Sequence, residues 1–318
     1  MRELGVMEVG GFRLGHAQDE AGMTGCTVIL CDGIRPCGVD VRGGGPASRE
    51  SQILNPLMAA EGVNAVLLSG GSAFGLDAAG GVQRYLEERG EGFATAYGVV
   101  PLVSQSCLFD LGVGSAAARP DAAMAYRACE NAAVTPPAEG CVGAGTGCSV
   151  GKLYGMARAM KSGFGTYAIE VGGVRVGALV AVNALGDVVT PDGRAVAGLR
   201  TPDGRALCGT TAALLGGAED PSFTTGQNTT LGVIVTNAAF SKAALTKIAG
   251  MAHNGYARAI RPVHTSMDGD TIYALSLGDA AASADLVGVM AAYAMERAIV
   301  RAVQTAKGTP ALPAAGEL

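Results

Sequence analysis

The sequence predicts a layered α/β fold, and three observations lead to this class. Short apolar runs rich in β-branched residues end in glycine-rich turns, which is typical of buried strands. Segments with apolar residues at helical spacing lie between these runs. Hydrophobic residues make up 49% of the 318 residues and charged residues only 16%, so the chain can bury a large core. Strands and helices that mix along one chain favour sheets covered by helices.

The predicted elements follow one another along the whole chain. Strands are expected where apolar runs meet turn residues, at 26–31, 64–68, 107–111, 175–183, 231–235 and 271–277. Helices with one apolar face are expected at 72–89, 120–131, 241–259 and 285–306, the third capped by Ser241. Residues 190–227, which contain the sequence Thr-Pro-Asp-Gly-Arg-Ala twice, are expected to be the loosest part of the chain, and 308–318 to form a frayed tail.

Composition excludes several classes of function. The net charge is −5 and lysine and arginine do not cluster, which argues against a nucleic-acid partner because phosphates require a basic patch. No apolar run is long enough to span a membrane, and the first residues do not resemble a signal peptide, so the cytoplasm is the expected location. Small molecules or short peptides are the expected partners.

The cysteines and glycines give no indication of a cofactor. Eight cysteines lack any CxxC pair and the three histidines are far apart, so neither a metal site nor a disulfide framework is expected, and the thiols should be buried and reduced. Residues 70–75 have the glycine spacing of a phosphate loop without its lysine, and 112–117 match a dinucleotide fingerprint that no continuous helix follows. Tight turns explain both segments better.

Thr229 is the strongest candidate for a catalytic residue. It joins a polar run ending in Gly226-Gln227-Asn228 to the apolar strand at 231–235. If its hydroxyl attacks the carbonyl of Asn228, the peptide bond becomes an ester, water opens the ester, and Thr229 becomes an amino terminus. Such an amine has a pKa of about 7.7 to 8.0 and can take the proton from its own hydroxyl. Gly226 would let the loop bend for this attack. An ordinary turn before a strand also explains Asn-Thr-Thr.

Four further polar residues are candidates for the same site. Asp268 and Asp270 flank a glycine just before a strand, where one carboxylate can face a substrate and the other can brace it. Lys152 lies in a segment almost without charge, so burial would lower its pKa. Asn183 ends an apolar strand and can donate to an oxyanion. The alternatives are an Asp-Gly turn, a solvated lysine and an asparagine that begins a turn.

Eight ordered motifs resemble one known family. They are similar to the family of L-aminopeptidase/D-esterases, β-peptidyl aminopeptidases and nylon-oligomer hydrolases, and they span nearly the whole chain. The motifs are Gly-Phe-Arg-Leu-Gly-His (11–16), Thr-Gly-Cys-Thr-Val (24–28), Gly-Val-Asp-Val-Arg-Gly-Gly (38–44), Leu-Ser-Gly-Gly (68–71), Phe-Asp-Leu-Gly (109–112), Arg-Pro-Asp (119–121), Asn-Thr-Thr (228–230) and His-Thr-Ser-Met-Asp-Gly-Asp-Thr (264–271).

The resemblance implies a fold and a processing event. The expected fold is a four-layer αββα sandwich like that of N-terminal-nucleophile hydrolases. The single domain 1–318 is expected to cleave itself between Asn228 and Thr229 into an α chain, 1–228, and a β chain, 229–318. Family habit suggests a homotetramer of these processed units. No cofactor or metal is implied.

The resemblance also assigns roles to the candidate residues. Thr229 is the implied nucleophile, as in the nylon-oligomer hydrolases. Lys152 matches the family lysine near the nucleophile, and Asn183 matches the amide that stabilises the oxyanion. Asp268 and Asp270 match an acidic pair that orients the new amino terminus. One position departs from the pattern, because Phe109 stands where some members have a tyrosine that helps to bind the oxyanion.

The expected activity is hydrolysis of a small peptide or amide through an acyl-enzyme on Thr229. The acyl donor is a residue with an amino terminus, a β-amino acid or a linear ω-amino acid. One alternative is an acyltransferase of the ornithine acetyltransferase type, which also exposes a threonine by self-cleavage. The other is an unprocessed scaffold or binding protein without catalytic activity.

Overall fold

The computed structural model describes residues 1–217 and 228–318, and this part of the chain forms seventeen strands and five α-helices. The strands are β1 (Arg2–Leu4), β2 (Phe12–Asp19), β3 (Thr24–Val41), β4 (Ala47–Arg49), β5 (Gly62–Ser69), β6 (Phe93–Thr95), β7 (Gly98–Val100), β8 (Val103–Cys107), β9 (Ser149–Val150), β10 (Met160–Lys161), β11 (Phe164–Val171), β12 (Val174–Asn183), β13 (Asp187–Val189), β14 (Ala195–Ala197), β15 (Thr229–Ala238), β16 (Ile260–Arg261) and β17 (Thr271–Ala280). The α-helices are α1 (Ala79–Glu87), α2 (Ala122–Glu130), α3 (Thr210–Leu215), α4 (Lys242–Ala259) and α5 (Ala284–Gln304).

Ten strands form two sheets that share the long strand β3. The first sheet has the order β1, β11, β12, β15, β17, β3, and its β15–β17 pair is parallel. The second sheet contains β2, β3, β5, β8 and β4. Residues 37–41 of β3 pair with β17, whereas residues 24–31 pair with β2. Strand β3 therefore passes from one sheet into the other.

Three buried apolar clusters show that the fold has four layers. Between the sheets, Ile29 and Leu68 of the second sheet pack with Val233 and Leu275 of the first. Helices α4 and α5 cover the outer face of the first sheet. Helices α1 and α2 cover the outer face of the second. The order helix, sheet, sheet, helix confirms the expected αββα sandwich.

Strand β15 illustrates why the core strands are continuous apolar runs. Val233 and Val235 belong to the cluster between the sheets, while Ile234 belongs to the cluster beneath α4 and α5. Successive side chains of a strand point to opposite faces, and both faces of this sheet are covered, so neither face requires polar residues. This buried strand begins at Thr229.

Most of the predicted elements are confirmed with small changes of boundary. The strands expected at 26–31, 64–68, 175–183, 231–235 and 271–277 lie within β3, β5, β12, β15 and β17. Three expected helices correspond to α2, α4 and α5. Ser241 caps α4 by accepting a hydrogen bond from the backbone N–H of Ala244. Within the described residues, no helix combines the length and apolar character needed to cross a membrane.

Two predicted elements are partly wrong. The strand expected at 107–111 ends at Cys107, because the chain turns inward so that Asp110 accepts hydrogen bonds from Thr24 and Gly71. The helix expected at 72–89 begins as a 3-10 helix over Ser72–Ala78 and becomes α-helical only at Ala79.

The two segments expected to be loose are more ordered than predicted wherever the structure describes them. Residues 190–217 contain β14 and α3, and buried Asp187 anchors them by accepting hydrogen bonds from the backbone N–H and the hydroxyl of Thr210. The expected tail packs against the body, where Leu312 is buried and the N–H of Lys161 donates to the carbonyl of Pro313. Gly226, the expected hinge for self-cleavage, lies outside the described residues.

Candidate active site

Three neighbouring strands bring the predicted site residues to one end of the first sheet. Asn183, the last residue of β12, pairs with Thr229, the first residue of β15. Asn228 forms a parallel bridge with Asp268, just before β17. Because β15 and β17 run parallel from Leu231 and Thr271 onward, their N-terminal ends meet at the same edge. Residues far apart in sequence therefore surround one peptide bond.

The carbonyl oxygen of Asn228 accepts hydrogen bonds from two donors. The Thr229 hydroxyl donates to this oxygen, and so does the backbone N–H of Gly269, at 3.1 Å. Thr229 is buried, with 4% of its surface exposed. A backbone N–H held at a carbonyl oxygen is positioned to stabilise the negative charge that appears there on nucleophilic attack.

Gly269 had no role assigned from the sequence, although its Asp-Gly-Asp motif was the available signal. A side chain at this position would displace the Thr229 hydroxyl, since a Cβ atom would lie 2.6 Å from Thr229 Oγ1. The turn is fixed from the end of β3, where the N–H of Gly45 donates to the carbonyl of Asp268 at 2.8 Å and the N–H of Arg42 donates to the carbonyl of Asp270 at 3.0 Å. The donor is therefore held before any reaction occurs.

Lys152 is buried beside Asn183, as the sequence analysis expected. Its Nζ donates to the Asn183 main-chain oxygen at 3.0 Å and to Asn183 Oδ1 at 2.9 Å. Burial lowers the pKa of Lys152 to about 7, partly offset by the negative charge of the nearby carboxylates of Asp268 and Asp110. The ammonium of Lys152 therefore loses its proton near neutral pH.

Both the nitrogen and the oxygen of the Asn183 amide form local hydrogen bonds. Its Nδ2 donates to the main-chain carbonyl of Phe109 at 2.7 Å, while its Oδ1 accepts from the N–H of Ser149 at 3.1 Å as well as from Lys152. The donor seen at the Asn228 carbonyl belongs to Gly269. The oxyanion role of Asn183 stays a prediction.

The two aspartates have different partners. Asp268 Oδ2 accepts from the backbone N–H of Thr265 at 2.7 Å and from its hydroxyl at 2.6 Å. Burial, and then the neighbouring charge of Asp270, raise the pKa of Asp268 to about 6. Asp270 Oδ1 accepts from the N–H of Thr230 at 2.7 Å, and its Oδ2 accepts from Nδ1 of His264 at 2.8 Å. Asp270 therefore holds the residue that follows Thr229.

Asp110 is a further buried residue that the sequence analysis quoted only as part of a motif. Its carboxylate accepts from the Thr24 hydroxyl at 2.6 Å and from the N–H of Gly71 at 2.7 Å. Burial raises the pKa of Asp110, and nearby Lys152 opposes this shift. Three of the motifs that carry the resemblance therefore meet at one carboxylate.

The site shows no arrangement for a metal ion within residues 1–217 and 228–318, where no group of three or more potential ligands comes together. All eight cysteines are free thiols. The expectation that they are buried is correct for most, but Cys208 is exposed and Cys141 is partly exposed. Burial raises the pKa values of Cys31 and Cys148 to about 12, so these thiols stay protonated.

A family model described as peptidase family S58 matches residues 5–313. The chain belongs to peptidase family S58. An uncharacterized aminopeptidase from Mycobacterium tuberculosis is 42% identical to this S58 peptidase over 320 residues, which cover 95% of this chain and 89% of the relative. A 6-aminohexanoate-oligomer endohydrolase from Agromyces is 32% identical over 282 residues, covering 86% of this chain and 75% of the relative.

Solved structures support the fold of this S58 peptidase. The L-aminopeptidase D-Ala-esterase/amidase from Ochrobactrum anthropi, described as a variant of the Ntn hydrolase fold, aligns with a TM-score of 0.70 at 20% identity, covering 99% of this chain and 90% of that chain. A β-aminopeptidase from Burkholderia aligns with a TM-score of 0.68 at 22% identity, covering 98% and 90%. The family and its relatives identify the protein as an aminopeptidase-like hydrolase of amide or peptide bonds.

A small cavity beside Lys152 shares three lining residues with a larger cleft. The cavity has a volume of about 10 Å³, which holds about one water molecule. Gly112, Val113 and Met156 line both this cavity and a mainly apolar cleft of about 500 Å³, whose far wall is formed by residues 309–312. The cleft therefore lies close to the buried site.

Proposed function

We propose that this S58 peptidase cleaves its own chain between Asn228 and Thr229 and then hydrolyses small peptides or amides through an acyl-enzyme on Thr229. One observation carries the proposal, namely that the Thr229 hydroxyl and the Gly269 N–H meet on the carbonyl oxygen of Asn228. Nucleophile and oxyanion donor are thus assembled on the bond to be cleaved.

Self-cleavage proceeds by an N-to-O acyl shift. Thr229 Oγ1 adds to the carbonyl carbon of Asn228 and gives up its proton, and the negative charge on the carbonyl oxygen is stabilised by the N–H of Gly269. The tetrahedral intermediate collapses when the C–N bond breaks and the nitrogen of Thr229 takes up the proton that Oγ1 released. Water then hydrolyses the ester, which leaves an α chain ending at Asn228 and a β chain beginning at Thr229.

The same groups serve the hydrolysis of substrates after cleavage. The free amine of Thr229 takes the hydroxyl proton as the oxygen attacks the substrate carbonyl. Lys152 and Asn183 stabilise the developing charge, and Asp268 and Asp270 position the amine. The leaving amine departs with a proton, and water releases the acyl group from the Thr229 ester.

The substrate class follows from the relatives and from the site. Relatives named as aminopeptidases and as a 6-aminohexanoate-oligomer endohydrolase support a small acyl donor with an amino group. The main-chain carbonyl of Phe109 accepts a hydrogen bond from Asn183. The side chain of Phe109 carries no hydroxyl that could bind an oxyanion. Preferences among acyl donors are therefore expected to differ from those of family members with tyrosine at this position.

The assembly and the location are also proposals. A homotetramer of processed αβ units is supported by the family resemblance. A reducing compartment, the cytoplasm, is supported by the eight free thiols.

Hydrolysis is tested by the release of 4-nitroaniline from a panel of α-, β- and ω-aminoacyl 4-nitroanilides. The wild type is expected to turn over at least one of them, and Thr229→Ala none. The same assay with an added acceptor amine distinguishes the acyltransferase alternative. Hydrolysis is supported if the free acid is the main product, whereas transfer to the amine as the main product would favour the acyltransferase.

A further inference from the structure

His264 contacts the two side chains that bind Thr230, the residue that follows the proposed nucleophile. Both polar main-chain groups of Thr230 are held by side chains from other elements. Its N–H donates to Asp270 Oδ1 at 2.7 Å, and its carbonyl accepts from the Tyr256 hydroxyl at 3.3 Å. His264 contacts both of these side chains, with Nδ1 at 2.8 Å from Asp270 Oδ2 and its ring stacked on that of Tyr256 at a centroid distance of 5.8 Å.

The local backbone places His264 for these contacts. Its φ angle is 59°, in the left-handed region that residues other than glycine seldom adopt. In this conformation its main-chain N–H also donates to Asp270 Oδ2, at 3.2 Å. His264 thus donates two hydrogen bonds to the Asp270 carboxylate, and Thr230 donates a third. A strained conformation at such a place indicates a functional constraint.

The ring is fixed on its other sides as well. The ring of His253 meets it edge-on at 4.7 Å. His264 Nε2 is buried, and none of the described residues offers it a hydrogen-bond partner. A proton on Nδ1 and none on Nε2 satisfies this arrangement, because Nδ1 then donates to the carboxylate. The ring can therefore act as a rigid donor to Asp270.

The hydrogen bonds to the Thr230 peptide become more important when the chain is cleaved. Before cleavage, Thr229 is held covalently by Asn228 on one side and by Thr230 on the other. After cleavage Thr229 is a chain end, and chain ends fray unless other groups hold them. Thr230 is then the only covalent neighbour of the nucleophile, and its two polar groups are those that Asp270 and Tyr256 hold.

We propose that His264 is a positioning residue that fixes the Thr230 peptide through Asp270 and Tyr256, and so keeps the new amino terminus at Thr229 in place during hydrolysis. The proposal rests on the proposed function. It assigns His264 a larger role in substrate turnover than in self-cleavage, because the intact chain already holds Thr229 from both sides.

Two substitutions at His264 test this role. His264→Gly removes the ring and keeps the left-handed backbone accessible, whereas His264→Asn restores a side-chain N–H donor and also tolerates that conformation. His16→Ala is the matched control. His16 is also a largely buried histidine, with Nδ1 bound to the Thr27 hydroxyl at 2.9 Å, a ring packed edge-on against Phe164 and Nε2 without a partner in the described residues.

For each variant, the rate of chain cleavage and the kcat and KM of the cleaved enzyme are measured separately. We expect His264→Gly to lower kcat about tenfold or more with KM nearly unchanged, since misplacing a nucleophile acts on the transition state. Its cleavage rate should fall much less. His264→Asn should recover most of kcat, and His16→Ala should change kcat by no more than about twofold.

Equal losses of cleavage and kcat in His264→Gly, or an unchanged kcat, would overturn the positioning role. If His264→Gly does not fold, Tyr256→Phe decides, because it removes only the hydroxyl, which lies within hydrogen-bond distance of the carbonyls of Thr230 and Thr271. A fall in kcat larger than the fall in cleavage rate supports the positioning role, and an unchanged kcat contradicts it. A wild type that never cleaves would instead overturn the proposed function, together with this inference.

Discussion

The backbone N–H of Gly269 donates a 3.1 Å hydrogen bond to the carbonyl oxygen of Asn228. Asn228 directly precedes β15, and Gly269 lies just before β17. The pairing of these two strands therefore brings the donor to the proposed cleavage bond. The turn that carries Gly269 is held by Thr265, whose N–H and hydroxyl both bind Asp268 Oδ2. A donor fixed before the reaction stabilises an oxyanion without the free-energy cost of reorganisation.

Substitution of Gly269 by alanine is expected to block self-cleavage. The added Cβ would lie 2.6 Å from Thr229 Oγ1, so the hydroxyl must move. Misplacing a reacting group by about 1 Å lowers the rate by about a hundredfold. Gly80→Ala is the control, since a Cβ at Gly80 in α1 meets nothing within 4 Å. Denaturing gels sampled over time measure both rates. Equal cleavage rates in the two variants would contradict the assigned geometry.

The rate of self-cleavage is expected to depend on pH in a bell-shaped manner. If the Asp268 carboxylate and the Lys152 ammonium are both required, the rate rises as Asp268 ionises near its raised pKa of about 6 and falls as Lys152 loses its proton near its lowered pKa of about 7. Because these groups interact, the two limbs report apparent values. Lys152→Arg, which keeps its charge, should lose the falling limb. A wild-type rate that continues to rise well above the pKa of Lys152 would contradict a charged role for this residue.

Lys152 should also make stability depend on pH. Its pKa falls from 10.5 to about 7 on folding, so between these values the unfolded chain binds a proton that the folded chain does not. The free energy of unfolding therefore rises with pH in this window, by at most about 1.4 kcal/mol per pH unit. Lys152→Met should lack this rise. Urea unfolding of the Thr229→Ala protein, with and without Lys152→Met, measures the free energy of unfolding at each pH. Parallel pH dependences of the two proteins would show that Lys152 keeps its proton.

Gly112 lines both the cavity beside Lys152 and the apolar cleft. A Cβ there would meet Met156 Cγ at 3.5 Å, an ordinary contact, so Gly112→Ala should fold normally. We expect a higher KM for aminoacyl anilides with long apolar acyl groups and a smaller change for short ones, because the methyl group takes up space at a position that borders both the cavity and the cleft. Self-cleavage should stay within about twofold of wild type. Equal KM changes for long and short acyl groups would argue against the cleft as the path of the acyl group.

Strand and helix positions in the core were predictable from the sequence because these segments are apolar along their whole length. Strand β15 and helices α4 and α5 have a strong local pattern. The tail and the start of the helix at 72–89 were predicted wrongly, because long-range contacts decide them. The Pro313 carbonyl accepts a hydrogen bond from the N–H of Lys161, and the Gly75 carbonyl accepts one from Gln105 Nε2 at 2.6 Å, and neither contact has a local signal.

The site was predictable in its residue types more than in its geometry. The burial of Lys152 was predictable from the scarcity of charge in its segment and is confirmed, and burial lowers its pKa. The donor role of Gly269 was not predictable, because a backbone N–H leaves no mark in a sequence beyond the glycine itself. His264 was similarly missed, since its contact with Tyr256 depends on how α4 packs beneath the sheet.

The most direct test of the central claim is the intact mass, under denaturing conditions, of purified wild type, Thr229→Ser and Thr229→Ala. Wild type should give two masses that correspond to residues 1–228 and 229–318, and Thr229→Ser should give the same split because it keeps a hydroxyl. Thr229→Ala should remain one chain. A wild type that stays whole on long incubation, or a Thr229→Ala variant that splits at the same bond, would contradict the account.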